Sequence, residues 1–99
     1  GRTDPILVQQ ATTNPTFGTI SGRVLTPNLT ALRNAIVTII DSTGNRQTTT
    51  TSSFGVYNFT NVQLGQIYTA TVTSKRFRFS PKTIQFTASL SGIEFVGLE

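Results

Sequence analysis

The 99-residue chain contains no cysteine, no histidine, no methionine and no tryptophan. Without cysteine it can form no disulfide and has no thiolate nucleophile. Without histidine it lacks the imidazole base and the usual zinc ligands. Acidic residues are scarce as well: Asp4, Asp41, Glu94 and Glu99 are the whole set. That leaves little for paired-carboxylate acid–base catalysis or for a carboxylate-rich calcium cage. No apolar run approaches the ~18 residues that a membrane-crossing helix needs. Charged residues make up 12% of the chain, roughly half the usual share. Most enzyme templates are excluded, and the expectation is a non-enzyme with no catalytic residue, no cofactor and no metal.

What remains is rich in residues that suit a pleated surface: 19 Thr, 8 Ile, 7 Val and 7 Phe, with 8 Ser beside them. This is the composition of an all-β domain. At 10.7 kDa the chain is long enough for one core and no more. Short hydroxyl side chains keep a surface wet without lysines, a tendency of secreted and cell-surface proteins. The net charge of +4 concentrates at Lys75-Arg76-Phe77-Arg78-Phe79, with Lys82 nearby. Basic residues interleaved with aromatics can grip phosphates and stack bases. Here, however, the alternation places Phe77 and Phe79 on one strand face and Arg76 and Arg78 on the other. No nucleic-acid partner is expected.

Period-two alternation recurs along the chain, and no helical stripe does. Thr19 to Leu25 directs Ile20, Gly22 and Val24 to one face; Ala35 to Asp41 directs Ala35, Val37 and Ile39 inward and leaves Ile36, Thr38 and Ile40 behind. A strand apolar on both faces is central, or its back is covered by another chain. Thr26-Pro27-Asn28 begins a polar connection from which Leu29 and Leu32 are expected to tuck under the sandwich edge. Asp41 to Asn45 reads as a hairpin turn, Arg46 to Thr51 as a polar edge strand, and Ser52 to Gly55 as another turn. Tyr57 and Phe59, then Tyr68, Ala70 and Val72, then Phe77 and Phe79, then Ile84 and Phe86, and lastly Ile93 and Phe95 supply further inward faces. About seven short strands separated by turns predict a two-sheet antiparallel β-sandwich.

The turn residues and strand faces also carry a family resemblance. Ile20-Ser-Gly22-Arg-Val24, Asn34-Ala35-Ile-Val37-Thr-Ile39, Thr50-Thr-Ser-Ser-Phe-Gly55-Val-Tyr57-Asn-Phe59 and Asn61-Val62-Gln-Leu-Gly65-Gln-Ile-Tyr68-Thr-Ala-Thr-Val72 resemble the carboxypeptidase regulatory-like family of transthyretin-like (prealbumin-like) sandwiches. The resemblance runs from about residue 19 to the end. It implies a non-catalytic module of the kind appended to peptidases, receptors and surface proteins, often in bacterial extracellular chains. The related collagen-adhesin B-type sandwiches form Lys-to-Asn isopeptide bonds. Here Arg23 stands where a Lys is wanted and Glu94 where an Asn is wanted, with Lys75 and Lys82 the remaining lysines.

Residues 1–18 precede the first family strand and are read as an arm, with residues 19–99 as the sandwich. Pro5 and Pro15 prevent a helix across the arm, and Ile6-Leu7-Val8 is a short β-prone stretch with Phe17 as a second anchor. Such an arm either folds back on its own sandwich or adds a strand to a neighbour. The second fate, repeated head to tail, generates a fibre. The residues expected to carry self-assembly are Ile6, Leu7, Val8 and Phe17 on the donor and Ile36 and Ile40 on the acceptor. The expected partner is a further copy of the chain. The other reading is an accessory module that recognises carbohydrate or protein; the lack of Trp and the presence of only two Tyr count against a sugar-stacking platform. Asn28-Leu-Thr30 and Asn58-Phe-Thr60 fit the N-glycosylation acceptor, so attached glycans are a further expectation.

Overall fold

The computed structural model describes residues 16–98. Seven strands follow one another: β1 Phe17–Leu25, β2 Ile36–Asp41, β3 Arg46–Thr50, β4 Val56–Gln63, β5 Gln66–Thr73, β6 Lys82–Phe86 and β7 Phe95–Val96. They form a three-stranded sheet in the order β4-β1-β7 and a four-stranded sheet in the order β3-β2-β5-β6. The expected all-β two-sheet sandwich is therefore the fold.

Alternation builds the core. Ile20, Val24, Tyr57, Phe59 and Phe95 of the smaller sheet meet Val37, Ile39, Tyr68, Ala70, Val72, Ile84 and Phe86 of the larger one. Because side chains on a strand alternate between faces, the residues between these point away from the core. On the four-stranded sheet the outward row opposite Ile36 is Thr50 and Thr73, and the row opposite Thr38 is Thr48 and Thr71. β2 is central and apolar on both sides, as its sequence suggests.

Two glycines set close approaches. A Cβ on Gly22 would collide with the backbone carbonyl of Ile93, so the C-terminal segment can lie directly against β1. Gly55 has φ +73° and sits under the Val24 carbonyl, which leaves no room for a side chain. Its carbonyl in turn accepts the Val24 N–H at 2.8 Å.

The structure departs from the sequence reading in five places. β1 begins at Phe17, so Phe17 and Gly18 are strand residues, paired with Gln63 and Val62. β7 pairs with β1 in parallel, not antiparallel, and is only two residues long; Ile93 lies before it. Phe77 and Phe79 do not form a strand. Arg78 makes an isolated bridge with Leu98, and Pro81 has no N–H with which to continue a ladder. The two rings nevertheless stay half-buried on one side, with Phe79 against the core. Leu29 does not tuck under the sandwich but is 65% exposed. Its φ of +65° and its N–H bond to the Thr26 carbonyl place it at the tip of a tight turn. Finally, Thr51 is buried. Its hydroxyl accepts the Ala35 N–H at 3.0 Å and donates to the Leu32 carbonyl at 2.7 Å, tying the β3 end to the start of β2.

Candidate functional site

The strand directions give the sandwich two chemically different ends. At one end lie the start of β1, the Asp41–Asn45 turn, and the β4–β5 turn. The Asp41 carboxylate accepts the N–H groups of Thr43 and Asn45 and the Thr43 hydroxyl. These bonds, the Thr43 hydroxyl foremost, hold its carboxyl below the ordinary aspartate value. Thr16 is anchored at the same end, where its carbonyl accepts the Leu64 N–H at 2.7 Å. Phe17 is 54% exposed there and lines a notch of about 140 Å³ that reaches Ile39 and Tyr68 between Gln47 and Gln63. The chain preceding the sandwich is thus rooted at the Asp41 end. Ile6, Leu7 and Val8 lie outside the described residues.

The candidate acceptor residues sit on the outward face of β2. Ile36 is 42% exposed and Ile40 is half-buried. Beside them β3 has one neighbour, β2, and presents its other edge unpaired among the described residues. β3 carries no Pro, and its one charge, Arg46, stands at its start ahead of Gln47 and three threonines. At the far side of the same sheet β6 also has a single neighbour, and it too begins with a cation, Lys82.

Several sequence candidates can be placed singly. Asn28 lies exposed in the turn after β1, and Asn58 lies exposed on β4 between inward Tyr57 and Phe59. Where the isopeptide pattern would call for Lys and Asn, Arg23 and Glu94 instead form an ion pair at 2.8 Å, with side chains 56% and 43% exposed. The ammonium of Lys82 lies 5.6 Å from the centre of the Phe95 ring. Both tyrosines are buried, with hydroxyls donating to the Ile93 carbonyl and the Gln63 carbonyl. Burial pushes the Tyr57 phenol up. For Tyr68 burial acts first and the nearby Asp41 charge second. Neither ring offers a free face for stacking. Among the described residues, no group of three or more acidic, His or Cys side chains converges to hold a metal.

Sequence reading missed one constellation. Arg33 lies far along the chain from Lys75 and Arg76, yet pairing of Ile36 with Thr73 brings all three cations around one cleft at the end opposite Asp41. The basic run at 75–76 was visible, but nothing local to Arg33 announces its company.

Comparison with known proteins agrees with this architecture. No curated protein sequence matches the chain. Among solved structures, the TIE protein of Bacillus anthracis superposes with a TM-score of 0.63 at 18% identity, covering 83% of this chain and 17% of that one. A C-terminal fragment of the pilus adhesin SpaC from Lactobacillus rhamnosus GG gives a TM-score of 0.47 at 14% identity, covering 85% of this chain and 46% of that one. The chain thus spans less than half the length of either structure. The family model for the carboxypeptidase regulatory-like domain matches residues 19–93, which take in most of β1 and all of β2 to β6, and the chain belongs to that family.

Proposed function

We propose that the chain is a non-catalytic structural subunit of a bacterial extracellular filament or surface fibre. Its N-terminal arm adds a strand to the neighbouring subunit, and subunits repeat head to tail. The observation that carries this reading is the open edge of β3, which lies beside the outward Ile36 and Ile40, contains no proline and carries a single charge, Arg46 at its start, before an uncharged Gln-Thr-Thr-Thr run. Ile6, Leu7 and Val8 supply the added strand's backbone and its apolar side chains, and Phe17 anchors the root. The scarcity of charge and the abundance of Thr suit an extracellular surface. Asn28 and Asn58 stand where attached glycans would point outward.

The test is deletion of residues 1–15, which leaves all seven described strands intact. Light scattering and negative-stain imaging of the full chain are expected to show polymers. The truncated chain is expected to be monomeric with an unchanged β-type circular dichroism spectrum. Polymers that survive the deletion, or a full chain that stays monomeric, would overturn the reading.

A further inference from the structure

The cleft at the end opposite Asp41 has a volume of about 510 Å³, within the range of small-ligand sites. Its floor and apolar wall come from Leu32 and Ile36, and its polar rim from Asn34, Thr73 and Ser74. Arg33, Lys75 and Arg76 also line it, and among the described residues no acidic side chain does. The two acidic side chains within the described fold are engaged elsewhere. Glu94 is paired with Arg23, and the Asp41 carboxylate is bound into its own turn at the other end. Two guanidinium groups and an ammonium around one opening make a strong site for a carboxylate or phosphate, which arginine can engage through two parallel hydrogen bonds.

The uncharged lining narrows the ligand further. A sugar ring has apolar C–H faces and a hydroxyl edge, and this cleft offers an aliphatic wall beside an amide and two hydroxyls. It offers no aromatic platform: both tyrosines are buried in the core, and the Phe77 ring is covered by Arg76, whose guanidinium lies 5.4 Å from the ring centre. A sugar held here is held by charge instead of stacking. We propose that this cleft binds the acidic sugar units of an anionic polysaccharide, with Arg33 and Arg76 on the carboxylate, Lys75 adding charge, and Leu32 and Ile36 against the ring. The site shares Ile36 with the acceptor face beside β3, while Arg33, Lys75 and Arg76 lie outside β2 and β3.

Equilibrium dialysis of the full chain against labelled trigalacturonate tests the proposal whether the protein is monomeric or polymeric. The expected result is saturable binding at one site per chain, weakened by salt, with maltotriose unbound. Arg33→Gln and Arg76→Gln should each weaken binding by about ten- to a hundredfold, the range for losing a hydrogen bond to a charged group. Arg78→Gln, which removes a cation that does not line the cleft, should leave binding unchanged. All three side chains are exposed, and circular dichroism of each variant checks the fold. Three results would overturn the proposal. Equal weakening by Arg78→Gln would reduce the effect to net charge. Equally tight binding of inorganic phosphate or of a glutamate tripeptide would remove the sugar from the site. Absence of trigalacturonate binding would remove the site.

Discussion

The two faces of the four-stranded sheet use the same strands and opposite chemistry. On the inner face Val37, Ile39, Tyr68, Ala70, Val72, Ile84 and Phe86 are buried. On the outer face the same strands carry Thr38, Thr48, Thr50, Thr69, Thr71, Thr73 and Thr83, with Ile36, Ile40 and Ile67 set among them. Thr matches Val and Ile in its branched shape, so it keeps the preference for extended backbone. It does not add apolar area that must be covered. The sheet is thus stabilised as a sheet from both sides but as a core from only one. The three outward isoleucines are the departures from this rule, and two of them flank the centre of β2.

The contrast can be broken most severely from inside. Phe86→Ala removes a fully buried ring from the end of β6 and should cost about 3–5 kcal/mol. That is comparable to the whole stability of a domain this small, so urea titration should show a largely unfolded protein at modest denaturant. Thr51→Val asks whether a threonine turned inward behaves like those turned outward. It strands the Ala35 N–H and the Leu32 carbonyl and should cost about 1–3 kcal/mol, although the volume scarcely changes. An outward substitution is the sharpening case. Ile36→Thr should move stability by no more than about 0.5 kcal/mol, and should weaken polymer formation if a neighbouring arm covers that position. Light scattering beside denaturant titration separates the two effects.

The smallest expected effect is electrostatic. Because the Asp41 carboxyl is held below its ordinary value, its contribution is present above the usual aspartate range. It is lost as pH falls through the lowered value. Asp41→Asn should therefore lower stability slightly at neutral pH and flatten the acid limb of the stability–pH curve, so that variant and parent converge in acid, as thermal melts from neutral to acid pH would show.

The inner face was legible in the sequence because each core strand alternates strictly. Tyr68, Ala70 and Val72 against Thr69, Thr71 and Thr73 leave one register that buries the apolar set. The turns at Gly44 and Gly55 were legible for a different reason, since both adopt the positive φ that other residues resist. What was not legible depends on distant partners. Phe77 and Phe79 alternate like a strand, but a strand needs a neighbour with free backbone groups, and among the described residues only Leu98 presents one to Arg78. The parallel placement of β7 rests on the space left by Gly22 far upstream. The buried hydroxyl of Thr51 reads in sequence as the last of four identical residues. The cleft around Arg33 exists only because β2 and β5 lie side by side.

The parallel pairing of β1 with the C-terminal segment has a mechanical consequence. The chain enters the sandwich at the Asp41 end and leaves it at the opposite end, and its first and last strands lie together. β1 and the C-terminal segment from Leu90 to Gly97 are joined by Ser21 N–H to the Leu90 carbonyl at 3.0 Å, Leu90 N–H to the Thr19 carbonyl at 2.9 Å, Ile93 N–H to the Ser21 carbonyl at 3.1 Å and Gly97 N–H to the Leu25 carbonyl at 2.9 Å. Tension applied between the two ends of the sandwich pulls these strands past each other along their length. The bonds between them are then loaded in shear and share the force, where an antiparallel terminal pair would peel open one bond at a time.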